Sequence, residues 1–409
     1  MKSILYLFIL VTFLINTSFS QDDAQFNLGL KKIEKGEYQE AVKIFSEVIK
    51  RKPLSSYGFY NRGLAYDRLN KTDLAMSDYT IAIKLNKKNF EAYNNRGTLK
   101  DKLGDKTGAF KDYNTALKIN PKYALAYYNR GITKSEKGDR KGAIQDYDLS
   151  IKYDPKYENA WYNRGIVKSD MDDDSGAISD YTEAIRLNPK FRDAYYNRGN
   201  VKRRIKNFTG AIEDYNQALL IDSLFVNALN NRGLAKYGLK DVDGAIKDYT
   251  EAISIKPDYY LPYCNRGIIY YEQLRATGTS SEYMNDFNKS IQLKPDYSNG
   301  YYYRGLAKKF LKDFQGAIED FTQVIKLNPN FAYGYYYRGI VNYEREKYDA
   351  SIPDFDTAIK KYPDYKEAYY YRGMAFYNIG KNDDACKDWK KALELKYKEA
   401  EYVLQSYCK

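Results

Sequence analysis

Apolar positions in this chain recur at spacings of three and four within short segments, and the segments themselves recur every 34 residues. One segment is typified by Tyr127-Tyr128-Asn129-Arg130-Gly131 and the next by Gly142-Ala143-Ile144-Gln145-Asp146-Tyr147, with a turn between them. Both patterns predict amphipathic helices. The arginine of the repeated Arg-Gly pair falls at Arg62, Arg96, Arg130, Arg164, Arg198, Arg232, Arg266, Arg304, Arg338 and Arg372, and eight of the nine intervals are 34 residues. A fixed period of this size predicts an all-α solenoid, in which each helix pair buries its apolar face by stacking on its neighbours.

With the repeated glycine as the eighth position, eleven repeats are expected: 22–55, 56–89, 90–123, 124–157, 158–191, 192–225, 226–259, 260–297, 298–331, 332–365 and 366–399. Residues 400–409 read as a capping helix. Position 24 is aromatic from Phe45 to Trp389, position 20 is mostly small, and eight of the ten prolines lie at position 32, where they end the second helix. This glycine, alanine, aromatic, proline pattern resembles the tetratricopeptide repeat family. The resemblance implies antiparallel helix pairs forming a right-handed superhelix whose first helices line a concave groove.

Two departures stand out. The eighth repeat has 38 residues, and the extra four, near Arg275 to Ser281, read as a longer inter-helix loop. Tyr283 then occupies the small position 20, which predicts looser packing. Pro353 lies inside a second helix and is expected to distort its early turns.

Each arginine of repeats two to eleven has an aspartate at position 23, from Asp78 to Asp388, whereas repeat one has Leu28 and Ile44 instead. Joint loss of both charges is what contact between them would produce. The pairing is therefore read as structural, not as a ladder for phosphates. Removing ten of each charge from 66 basic and 54 acidic residues leaves 56 and 44, so the net +12 is spread over the surface. That is a solvated mixed-charge face, with at most a bias toward acidic partners. No nucleic-acid partner is expected.

Histidine is absent, which removes Ser-His-Asp triads, Cys-His pairs and imidazole metal ligands. The run Asp170-Met171-Asp172-Asp173-Asp174 has Ser175 and Tyr181 where a calcium loop needs glycine and glutamate. No metal, cofactor or catalytic residue is expected, and the chain reads as a non-enzyme.

Position 6 carries the candidate binding residues. It is asparagine at Asn27, Asn61, Asn95, Asn129, Asn163, Asn197, Asn231 and Asn265, then tyrosine at Tyr303, Tyr337 and Tyr371. Positions 2, 6, 9 and 13 share one helical face, the groove face that the resemblance implies. A column of amides can both donate to and accept from an extended chain. It resembles the asparagine ladder of the repeats in O-linked N-acetylglucosamine transferase. The alternative is that the asparagines bond neighbouring helices. The tyrosines suit proline-rich peptide, apolar side chains or sugar rings, or else fill space between helices. The lysine and asparagine of the family's carboxylate clamp are missing, because position 5 is mostly aromatic and position 9 mostly aliphatic. The function expected is a protein-interaction scaffold; the alternative is binding of a glycan or surface polymer through the tyrosine-rich end.

Residues 1–20 read as a signal peptide: Lys2, an apolar run from Ile4 to Ile15 and a cleavage site after Ser20. Twelve residues are too few to span a bilayer, which takes about 20. A periplasmic or extracellular location is expected, and there Cys386 and Cys408 are candidates for a disulfide.

Overall fold

The computed structural model describes residues 23–277 and 282–408. The expected signal peptide lies outside them, as does the 278–281 part of the insertion. Among the described residues there are helices and turns and no strands. Contacts divide the chain into two compact units, residues 1–201 and 202–409. Each is a series of antiparallel helix pairs, so the fold is an all-α solenoid.

Repeat four shows how sequence sets the pair. Its first helix, Ala124–Glu136, ends in a turn where Gly138 adopts φ 81°, and its second is Arg140–Tyr153. That left-handed residue occupies position 15 in every repeat but the eighth, as glycine at Gly36, Gly104, Gly138 and Gly380 and as residues such as Asn70, Lys206 and Lys240 elsewhere. It stops the first helix by the αL route. The second helix then begins on Asp139, whose carboxylate accepts from the Gly142 backbone N–H at 2.9 Å. A side chain on Gly142 would lie 2.1 Å from that carboxylate, so cap and glycine go together.

The core is a row of rings. Every position-24 aromatic is fully buried, from Phe45 through Tyr79, Tyr113 and Tyr147 to Trp389. Each points at the position-8 glycine of its own repeat: a Cβ on Gly131 would meet Tyr147 at 2.8 Å, and one on Gly233 would meet Tyr249 at 2.6 Å. Such approaches are closer than carbon atoms allow, so the glycine sets how near the two helices come. Alanines at position 20, such as Ala109, Ala143 and Ala211, are wholly buried beside the rings.

Three expectations about the irregular repeats fail. In the eighth, the first helix runs from Tyr260 to Thr277, 18 residues against 13 in repeat seven, so Arg275 to Thr277 extend a helix and not a loop. The extension adds Leu274, which together with Tyr271 in the ordinary length of the helix buries Tyr283 to 3% exposure, with ring centroids 6.2 Å apart for Tyr271 and Tyr283. Packing there is filled, not loose. Pro353 sits inside an unbroken helix, Tyr348–Lys361, as long as the corresponding helix of repeat nine. A proline there removes one hydrogen bond without ending a helix that its neighbours hold.

The final helix, Glu399–Tyr407, closes the second unit. Ala400 and Val403 are buried with Trp389 and Ala392, and Cys386 is disulfide-bonded to Cys408 with Cα atoms 5.7 Å apart. Cys264 is a buried free thiol whose pKa burial pushes up to about 12, so it is inert at ordinary pH.

Candidate functional site: the first-helix face

The repeated arginines lie between helices, paired with carboxylates. Arg130 donates to Asp146 from Nε at 2.8 Å and from Nη2 at 2.6 Å, a bidentate pair on a carboxylate only 2% exposed. The same geometry holds at Arg62–Asp78, Arg96–Asp112, Arg164–Asp180, Arg232–Asp248, Arg266–Asp286, Arg304–Asp320, Arg338–Asp354 and Arg372–Asp388. The third nitrogen reaches back one repeat. Nη1 of Arg130 donates to Asn114 at 2.6 Å, and Nη1 of Arg232 to Asn216 at 2.8 Å. The acceptor is always position 25 of the preceding repeat, which is Ser, Thr, Asn or Asp in repeats one to ten. Repeat eleven, with no arginine after it, has Lys390 there.

A second cation joins many pairs. Lys134 Nζ lies 2.8 Å from Asp146, and Lys100, Lys168, Lys236 and Lys308 at the same position 11 bind their own aspartates. Repeats two, eight and eleven have Tyr66, Tyr270 and Phe376 there, each under its arginine as a cation–π partner. In two of those three, burial outweighs the lone arginine and holds the Asp286 and Asp388 carboxyls above the usual carboxylate range. These charges are thus internal fasteners.

The position-6 asparagines have a dual situation. Their Nδ2 groups donate to position 5 of the preceding repeat: Asn95 to Tyr60 at 3.4 Å, Asn129 to Asn94 at 3.0 Å, Asn163 to Tyr128 at 3.0 Å, Asn197 to Tyr162 at 2.9 Å and Asn265 to Asn230 at 2.9 Å. Asn231 accepts from Asn230 beside it. Where the preceding repeat offers Phe26, which has no acceptor, Asn61 turns back to the carbonyl of Tyr57 at 2.8 Å. Asn27, with no repeat before it, is exposed. So the Nδ2 edges of Asn95, Asn129, Asn163, Asn197 and Asn265 join two repeats, as in the alternative reading of the ladder, while the carbonyl edges of Asn95 and Asn231 accept from Asn94 and Asn230 beside them.

Tyr303, Tyr337 and Tyr371 replace those amide bonds with ring contacts. They stack on the position-24 rings Phe287, Phe321 and Phe355 at interplanar angles of 15°, 21° and 25°. Tyr337 and Tyr371 also meet Tyr302 and Tyr336 of the preceding repeats edge-on. One face of each tyrosine is covered by protein.

Three cavities open beside these residues. One of about 410 Å³ is lined by Thr98, Asp101, Lys106, Asn129, Ile132 and Glu136; Lys106 pairs with both Asp101 and Glu136 there. A second, about 460 Å³, includes Asn61, and a third, about 340 Å³, includes Tyr337. Among the described residues no group of three or more acids or cysteines is placed to hold a metal ion, and no helix is long and apolar enough to cross a membrane. Asp173 in the acidic run caps a helix, accepting from the Gly176 N–H at 3.0 Å.

Models of the tetratricopeptide repeat match residues 26–89, 175–224 and 343–396, 124–157 and 158–191, and 298–331, and a TPR repeat model matches 102–138 and 237–273. Jointly they take in well over half of the sequence. The chain belongs to the tetratricopeptide repeat family. Repeats of this family generally act as non-catalytic interaction scaffolds. No curated protein matches the sequence. Among solved structures, MamA is 26% identical over 47% of this chain and 97% of its own, with a TM-score of 0.39. YrrB, described as a TPR protein with an unusual peptide-binding site, is 22% identical over 45% of this chain and 95% of its own, at 0.41. A tetratricopeptide repeat protein from Parabacteroides merdae is 18% identical over 61% and 97%, at 0.46.

Proposed function

We propose that this tetratricopeptide repeat chain is a non-catalytic scaffold that holds an extended segment of a partner protein along the face of its first helices, outside the cytoplasm. The observation that carries the reading is the coincidence of cavities and ladder: three of four cavities contain a position-6 residue, Asn61, Asn129 or Tyr337, whereas the fourth, of about 350 Å³ beside Leu219 and Arg232, does not. The arginine–aspartate charges are satisfied between helices, which leaves this face as the repeated surface with polar groups and room for a ligand. The apolar leader and the Cys386–Cys408 bond support an exported compartment. The glycan alternative has no such support, because Tyr303, Tyr337 and Tyr371 each turn one ring face inward.

Two sets of substitutions separate peptide reading from inter-repeat bonding. Tyr128→Phe with Tyr162→Phe removes the acceptors of Asn163 and Asn197 but leaves both amides on the face. Asn163→Ala with Asn197→Ala removes the amides. Each hydrogen bond contributes about 0.5–1.5 kcal/mol, so the asparagine pair should weaken a partner recovered by crosslinking roughly ten-fold. The tyrosine pair should leave affinity unchanged. Equal binding by both variants would show that the asparagines serve only to join repeats.

A further inference from the structure

Aromatic residues at position 34 seal the junction between successive repeats through most of this chain. Tyr157 packs on Tyr128 with centroids 4.8 Å apart, Phe191 on Tyr162 at 4.6 Å and Tyr365 on Tyr336 at 4.6 Å, each ring lying on the position-5 ring of its own repeat. The first repeat breaks the row. Its position 34 is Ser55, which instead caps the next helix by accepting from the Gly58 N–H at 3.0 Å. Its position-5 ring, Phe26, has the buried Phe45 edge-on at 5.6 Å and no ring from position 34. Repeat two also lacks the aromatic, but there Asn89 is buried and closes the junction by capping Ala92 and donating to Ser56.

The junction between repeats one and two is consequently open. It forms the cavity of about 460 Å³, lined by Phe26, Leu30, Val48, Ser55, Tyr57 and Tyr60, among others. Its walls are mostly apolar, and Asp23, Lys52, Asn61 and the Tyr57 side chain supply polar groups. We infer that this cleft binds an aromatic side chain of the partner segment, taking from outside the ring that position 34 provides in later repeats. The site continues an established row of inter-repeat ring contacts, and its volume falls within the range of small-ligand pockets. A ring inserted over Phe26 would reproduce the contact that Phe191 makes with Tyr162 four repeats further on.

The inference rests on the first-helix face being a peptide surface, but a small probe tests it independently. N-acetyl-tyrosinamide and N-acetyl-leucinamide are titrated onto the full chain by saturation-transfer NMR. The tyrosine probe should bind at least five-fold more tightly than the leucine probe. Ser55→Tyr fills the cleft with the chain's own ring; it should fold, melt no lower than the parent and weaken the tyrosine probe at least ten-fold. Undiminished binding to Ser55→Tyr, or no preference for the aromatic probe, overturns the inference. Should Ser55→Tyr fail to fold, Phe26→Leu removes the ring face while keeping most of the volume; it should weaken the probe at least five-fold, and unchanged binding again overturns the site. A probe that obeys these rules while the partner contacts only the opposite face leaves the cleft standing and removes the peptide reading.

Discussion

Arg62 and Arg130 make the same bidentate contact, yet their loss should cost different amounts. Arg62→Leu leaves Asp78, 3% exposed, with Tyr66 at position 11 and no lysine to take over. Breaking a buried pair in this way costs about 3–5 kcal/mol, because the remaining charge keeps its desolvation penalty. Arg130→Leu leaves Asp146 with Lys134 at 2.8 Å. A hydrogen bond to a charged group is worth about 1.5–3 kcal/mol, so the net loss falls to roughly 1–3 kcal/mol. Adding Lys134→Met to Arg130→Leu should bring it up to the Arg62→Leu value. Repeat arrays melt non-uniformly, so the assay is native-state hydrogen exchange on the peptides spanning 56–85 and 124–153 and not a single global midpoint. Equal losses at the two sites would refute the role given to the lysine. Losses under about 1 kcal/mol at both would mean the pairs behave as surface ion pairs.

Three further outcomes follow from the same geometry. Lys240 sits at φ 68°, so Lys240→Gly should stabilise its repeat by about 0.5–1 kcal/mol, read from local exchange protection; a loss would contradict the αL assignment. Cys408→Ser removes a 22-residue closure worth roughly 3 kcal/mol in the chain-entropy account, and it should loosen the terminal helix. Trp389, with Tyr407 at a ring-centroid distance of 6.2 Å, then reports the change by a red-shifted emission; an unmoved spectrum would mean the helix holds without the bond. The raised carboxyl of Asp286 favours folding when protonated, a contribution present below about pH 3.9 and lost as pH rises through its elevated pKa. Urea melts across that window should show Asp286→Asn gaining stability relative to the parent as pH rises, and a constant difference would refute the shift.

Much of this was legible in the residues. The 34-residue period, the glycine at position 8 and the ring at position 24 determine the helix pair, because a Cβ and a ring cannot share that space. The Arg–Asp partnership showed in their joint absence from repeat one. The back-reach of each arginine to position 25 was also written there, in a run of Ser, Thr, Asn and Asp that ends at Lys390, but its meaning needs the stacking geometry. The asparagines were harder to place. Whether Asn163 faces a ligand or its neighbour depends on Tyr128, 35 residues earlier, and no local pattern joins those two. Insertions are least legible, since four extra residues lengthen a helix or a loop with similar composition; here Leu274 had a buried face to fill.

The central claim is that partners are held on the first-helix face, and site-resolved photocrosslinking tests it most directly. A photoreactive residue is placed at Ile132, which lines the 410 Å³ cavity, or at Lys118, exposed on a second helix, and irradiated in the native source. The account predicts a discrete partner adduct from position 132 and none from position 118. An adduct from Lys118 alone would contradict it.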